Sequence, residues 1–134
     1  MRRFALLALI VCVAGCASLK SNGRLVSLAD GSTIVLQMEF SGSGGTMIGT
    51  HPVTGERFSG DYVATMSRTE GIVGSNVVDV SNTAGQGAGV LRGDRGTILH
   101  CEINVSAGNK LLRRPPTGHG TCVDQQGQRY HLQF

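Results

Sequence analysis

Apolar and polar residues alternate with a period of two along much of the chain. The pattern is clearest in residues 33–40, 57–66, 97–105 and 130–134. Alternation of this kind predicts β-strands that bury one face and expose the other. Apart from an apolar run near the N-terminus, no stretch of ten residues has the apolar stripe of an amphipathic helix. The pattern therefore predicts an all-β fold.

Short turn signals separate the predicted strands. Residues 52–56 predict a hairpin loop between strands at 46–51 and 57–66, and glycine-bearing turns are expected at 93–96 and 125–127. Strands joined by such short connections pair as antiparallel neighbours. We expect a small antiparallel meander, closed as a barrel or folded as a sandwich.

Two segments interrupt the alternation. Residues 67–89 are rich in Ser, Gly, Asn and Thr, and predict a short strand at 76–80 beside a mobile loop. Residues 110–117 contain Pro115, which cannot donate a ladder hydrogen bond, so an exposed loop is expected there. Both segments interrupt the meander without suggesting a second domain.

The N-terminal segment has the features of an export signal. Arg2 and Arg3 precede an apolar run of eleven residues at 4–14. A membrane-spanning helix needs about 20 apolar residues, so a run of this length is typical of a signal peptide.

The tetrapeptide Val-Ala-Gly-Cys that ends at Cys16 resembles the lipobox of bacterial lipoproteins. The resemblance implies that the Cys16 thiol receives a diacylglycerol and that a peptidase cuts the chain before this residue. It divides the chain into a signal peptide at 1–15, a lipid-anchored linker at 16–23 and a single β domain at 24–134. A membrane is then a partner of the protein, through the acyl chains on Cys16.

The residues after Cys16 bear on location. Lipoproteins of two-membrane bacteria tend to stay in the inner membrane when Asp follows the modified cysteine, whereas Ala17 stands here. The resemblance thus implies an outer-membrane lipoprotein, and we expect the domain to face the periplasm rather than the cell surface. Glycine-rich patterns at 45–62, 93–101 and 118–134 are similar to small lipoproteins of the proteobacterial outer membrane, a likeness that carries no activity.

The β domain holds two cysteines, Cys101 and Cys122. If Cys16 carries lipid, this even pair lies in an oxidising compartment, which favours a disulfide. The alternatives are free thiols or a zinc site that also uses histidines, namely His100, His119 and His131. No Cys-x-x-Cys spacing supports zinc, and residues 100 and 101 point to opposite faces of a strand. We expect the disulfide and no metal.

Charge and aromatic content exclude two classes of binding protein. The chain has 12 Lys and Arg against 9 Asp and Glu, and loss of Arg2 and Arg3 leaves 10 against 9. A nucleic-acid binder needs a basic surface, so no nucleic-acid partner is expected. Without tryptophan and with two tyrosines and four phenylalanines, the chain also lacks a broad stacking platform for sugars.

His119 is the strongest candidate for chemistry. It lies between Gly118 and Gly120, and it could act as a general base oriented by a carboxylate, for which the candidates are Asp94, Glu102 and Asp124. The alternative is a structural histidine in a turn ahead of Cys122. No nucleophile or Gly-x-Ser-x-Gly motif accompanies it.

Two further candidates are basic or turn residues. Arg113 and Arg114 could bind anionic lipid headgroups, and Arg92-Gly93-Asp94 spells an adhesion tripeptide at an expected turn. Taken together, the residues predict a non-catalytic structural or binding module of the cell envelope, with a possible envelope-protein partner and no cofactor. The alternative is a periplasmic enzyme or small-ligand binder that uses His119.

Overall fold

A computed structural model of the protein describes residues 18–41, 43–67, 71–73, 76–78, 84–106 and 114–134. Ten strands lie within these ranges. They are β1 (Leu19–Ser27), β2 (Thr33–Ser41), β3 (Gly44–Thr50), β4 (Arg57–Ser67), β5 (Gly71–Val73), β6 (Asn76–Val78), β7 (Ala84–Gly93), β8 (Ile98–Ser106), β9 (Thr117–Val123) and β10 (Arg129–Gln133).

Eight of these strands form a closed antiparallel barrel. Their order around the wall is β1-β10-β9-β8-β7-β4-β3-β2, and β2 pairs with β1 to complete the circle. Strands β5 and β6 form a separate two-stranded sheet between β4 and β7. The predicted all-β meander is confirmed, and of the two architectures left open the protein adopts the barrel.

The strand registers define the stagger of the barrel. Stepping from Thr65 on β4 through directly paired residues around the wall leads back to β4 at Arg57, eight positions away. Eight strands with this stagger tilt by about 36° and leave an interior that side chains can fill.

The interior is filled by the inward positions of alternate residues. The buried apolar side chains are Leu25, Ile34, Leu36, Met38, Phe40, Met47, Phe58, Tyr62, Ala64, Leu91, Leu99, Cys101, Ile103, Val105, Cys122 and Leu132. The inward face predicted for β2 and β8 is confirmed by this set. Phe40 contacts Tyr62 edge-on and the partly buried Phe134, with ring centroids 5.9 and 5.8 Å apart.

The two ends of the barrel differ. At one end, hereafter the turn end, strands are joined by connections at 28–32, 51–56, 94–97 and 124–128. Each of these holds one glycine with a positive φ, which glycine adopts without steric cost: Gly31, Gly55, Gly96 and Gly127. The hairpin loop and turns predicted from the sequence are confirmed here. The other end, hereafter the N-terminal end, is where β1 begins.

Three sequence-based boundaries need correction. Residues 19–23 were predicted as linker, but they form the first half of β1 and pair with β2 from Leu19 onwards. Residues 84–89 were predicted as part of a loop region, but they begin β7. In the predicted exposed loop at 110–117, Pro116 is buried and Thr117 already belongs to β9, while residues 110–113 lie outside the described part.

Candidate functional site

The described residues that face the barrel interior are mainly buried apolar side chains. Among the described residues, Tyr62 Oη is the one buried side-chain polar atom without a hydrogen-bond partner. Its surroundings are apolar, and burial raises the pKa of Tyr62 to about 12. The exposed polar side chains, which could contact a ligand, lie on the outer wall of the barrel.

His119 lies in the middle of β9 and points outward into solvent. The prediction that it caps a turn is therefore wrong. The flanking glycines face inward instead: a Cβ on Gly118 would meet the Phe134 ring, and one on Gly120 would meet the Glu102 carbonyl oxygen. These glycines let neighbouring groups approach closely, and His119 occupies the outward position between them.

His119 belongs to a continuous row of outward polar side chains. Direct cross-strand pairing joins it to Gln133 on one side and Asn104 on the other, and the pairing continues to strands β1 and β4. We call this set the polar row, and in spatial order its members are Arg24, Gln133, His119, Asn104, Gln86 and Thr65. Six strands about 4.8 Å apart make the row about 24 Å long when it is measured around the wall. Because six of the eight barrel strands contribute, the two ends of the row face different sides of the barrel.

Most side chains of the polar row are free to bind a ligand. Gln133 Nε2 lies 3.2 Å from His131 Nε2. The other five side chains form no hydrogen bond or ion pair with any residue in the described ranges. Amides, a hydroxyl, an imidazole and a guanidinium offer both donors and acceptors, and one positive charge at the β1 side.

Two shallow hollows adjoin His119. One has a volume of about 680 Å³, and its lining includes four members of the polar row, namely Thr65, Gln86, Asn104 and His119. The other has a volume of about 540 Å³, and its lining includes Arg24, His119, Gln133 and the ring of Phe134. Both are open to solvent, so His119 forms the ridge between two concave parts of one polar surface.

Of the three carboxylates proposed to orient His119, Asp94 and Asp124 lie in connections at the turn end, whereas Glu102 lies on the strand next to His119. Asp94 accepts a hydrogen bond from the Arg57 backbone N–H at 3.0 Å, which is the main cause of its lowered pKa. Asp124 accepts backbone N–H groups of its own turn. Glu102 lies opposite Thr121 on the outer face of β8, which makes it a diagonal neighbour of His119. Within the described ranges no hydrogen bond joins a carboxylate to His119.

The predicted disulfide is present. Cys101 and Cys122 are direct partners across β8 and β9, with an S–S distance of 2.01 Å, and both side chains point into the core. His100 lies on the outer face beside the inward Cys101, as alternation predicted. Across the described residues there is no group of three His, Cys, Asp or Glu side chains that could hold a metal ion.

The remaining sequence candidates are dispersed. Asp94 forms an ion pair with Arg57, with Oδ2 and Nε 3.4 Å apart, so the adhesion tripeptide has its carboxylate engaged. Arg114 is exposed just before β9. Arg113 and Cys16 lie outside the described residues, as does the whole predicted signal peptide.

Comparisons with protein-family models, with curated proteins and with solved structures found no significant match. In the part of the chain that the structure describes, no helix has both the length and the apolar character needed to cross a membrane.

Sequence reasoning found His119 but not the row to which it belongs. The other members are ordinary polar residues far apart in the chain, and only the register of six strands brings them into line. The one local signal was that each occupies an outward position of an alternating segment.

Proposed function

We propose that the protein is a lipid-anchored module of the cell envelope that binds another envelope component through the polar row, without catalysis. The observation that carries this proposal is the contrast between the two faces of the wall. The inner face is closed by packed apolar side chains, whereas the outer face presents five polar side chains that have no partner among the described residues and that line two hollows.

The chemistry of the polar row limits what it can bind. Barrel closure pairs the strands edge to edge, so a partner strand has no open edge of the barrel to extend. A partner must be held by side chains, and these are three amides, one hydroxyl and one imidazole, with the Arg24 guanidinium at one side. Such a surface fits an uncharged or weakly acidic hydrogen-bonding partner better than a polyanion.

The disulfide supports the proposed compartment. Disulfides form and persist in oxidising compartments such as the bacterial periplasm. Together with the lipobox-like sequence, the Cys101–Cys122 disulfide favours an exported domain anchored at Cys16. We propose the outer membrane as its site, with the barrel on the periplasmic side.

Intact mass of the membrane-extracted protein tests the anchor. We expect a chain that starts at Cys16, carries acyl groups, and is two hydrogens lighter than its reduced form. The Cys16→Ala variant should lose acylation and leave the membrane fraction. A wild-type product that lacks acyl mass, or that salt alone releases from membranes, would overturn the anchoring.

Photo-crosslinking in intact cells tests the binding surface. A photoreactive amino acid at Asn104 lies in the polar row, and the same group at Val53 lies exposed at the turn end as a matched control. We expect a discrete adduct from position 104 that is lost when His119 and Gln86 are both changed to Ala. The same adducts from both positions would contradict a role for the polar row.

A further inference from the structure

We infer that the N-terminal end of the barrel stands against the lipid headgroups and that the turn end points away from the membrane. This inference rests on the proposed acylation of Cys16, and it adds the orientation of the domain. It assigns an interaction surface to one end of the barrel, with a lipid bilayer as the partner.

The tether that joins Cys16 to Leu19, the first residue of β1, is short. Strand β1 is part of the wall from its first residue, because Leu19 pairs with Phe40 and Lys20 pairs with Glu39. The Lys20 ammonium also lies 2.7 Å from the Glu39 carboxylate. Three residue steps separate Cys16 from Leu19, and even fully extended they span at most about 11 Å.

The barrel wall is tall compared with this tether. The longest wall strand, β4, has 11 residues, which at about 3.3 Å per residue and a tilt of about 36° gives a wall about 29 Å tall. The tether is much shorter than the wall. Acyl chains inserted in a bilayer must therefore hold the N-terminal end close to the headgroups, whatever conformation residues 16–18 adopt.

Charge favours a barrel that stands on its N-terminal end over a barrel that lies on its β1 side. Arg114 is exposed at the N-terminal end, where the charges of Lys20 and Glu39 cancel, so the described residues of this end carry a net positive charge that suits an anionic surface. Lying on the β1 side would instead press Asp30 of the β1–β2 connection and Asp124 of the β9–β10 connection onto the headgroups. The cations on that side are Lys20, Arg24 and Arg129, and Glu39 adds a third carboxylate, so the charges there cancel and leave no net attraction to an anionic surface.

The orientation has a consequence for the polar row. Thr65, Gln86, Asn104 and His119 each lie two positions from the end of their strand on the N-terminal side. That distance is about 7 Å along a strand. These four members of the polar row would thus lie close to the membrane, within reach of a membrane-bound partner, whereas Arg24 lies nearer the turn end.

Tryptophan fluorescence tests the orientation, because the native chain contains no tryptophan. Thr117→Trp places one at the N-terminal end, Val53→Trp at the turn end, and Leu28→Trp at the turn end beside β1; all three positions are exposed. The acylated proteins are reconstituted in vesicles of phosphatidylethanolamine and phosphatidylglycerol that carry nitroxide-labelled headgroups. We expect quenching at position 117 to be several-fold stronger than at positions 53 and 28.

Two results would overturn the orientation. Equal quenching at positions 117 and 53 would show no preferred end, and quenching at position 28 as strong as at 117 would show a barrel lying on its β1 side. A flexible Gly-Ser insertion of about twelve residues before Leu19 should reduce quenching at 117, and unchanged quenching would contradict the tether argument. Acylation is established by mass before reconstitution, so failure of the anchor and failure of the orientation are read separately.

Discussion

Thr97 donates two hydrogen bonds to Glu56, from its backbone N–H to Oε1 at 3.3 Å and from Oγ1 to Oε2 at 3.0 Å. Glu56 is 8% exposed, and it ties the β3–β4 connection to the β7–β8 connection across the turn end. Two loops 41 residues apart are thereby held by a single carboxylate. No short sequence motif predicts this contact.

Loss of this carboxylate should destabilise the barrel. We expect Glu56→Ala to lower the free energy of unfolding by about 1–3 kcal/mol, because hydrogen-bonding groups of Thr97 lose a largely buried acceptor. Urea denaturation followed by circular dichroism measures the change. Glu56→Gln, which keeps the shape and one acceptor oxygen, should cost less. Equal losses for the two variants would mean that the side chain acts by filling space.

The disulfide should resist reductant while the barrel is folded. Cys101 and Cys122 are 3% and 0% exposed, so a reducing thiol cannot reach them without opening the wall. We expect mass spectrometry after alkylation to show labelled cysteines only when urea accompanies the reductant. The double variant Cys101→Ala, Cys122→Ala should lose about 3 kcal/mol of stability, since the bond closes a loop between residues 21 apart. Rapid labelling of the folded protein would contradict this account.

The sequence predicted strands where inward positions carry large side chains and missed strands where they carry glycine. In β7 the inward positions begin with Gly85, Gly87 and Gly89, and in β9 they begin with Gly118 and Gly120. Glycine contributes nothing to the apolar alternation, so these segments read as loops. Barrel closure could not be predicted from the sequence either, because it depends on the pairing of β1 with β10, which lie at opposite ends of the domain sequence.

Only part of the candidate site could be predicted from the sequence. Inward placement of Cys101 and outward placement of His100 follow from alternation alone, so the disulfide was predictable. The polar row was not, because it depends on the registers of six strands. A one-residue slip at any of these pairings would turn part of the row inward.

The inward glycines should differ in how they tolerate a methyl group. A Cβ at Gly120 would collide with the backbone carbonyl of Glu102, whereas at Gly89 it would meet Met47 Cε and Tyr62 Cβ at 3.0 Å and the Asp61 carbonyl oxygen at 3.1 Å, contacts that a small shift relieves. Backbone in a closed wall cannot move aside as readily as side chains. We expect Gly120→Ala to cost about 3 kcal/mol and Gly89→Ala about 1 kcal/mol in urea unfolding. The reverse order would show that the wall gives way more easily than the core.

Tyr62 should make the protein sensitive to alkali. Burial raises the pKa of its hydroxyl to about 12, above the value near 10 of an exposed tyrosine. The folded state therefore holds this proton more tightly than the unfolded state. The stability that results is fully present below about pH 10 and is lost as the pH rises towards 12.

Replacement of Tyr62 by Phe distinguishes the contribution of the hydroxyl to stability from that of the ring. The hydroxyl has no partner within the described structure, so its removal should leave stability at neutral pH unchanged or slightly higher. Between pH 10 and 12 the variant should lose less stability than the wild type, as measured by the urea midpoint across this range. Tyr130, whose pKa is also raised by burial, is retained in both proteins, so the difference between them reports on Tyr62. A variant that is less stable at neutral pH would show that the hydroxyl has a bound partner, such as an ordered water, inside the barrel.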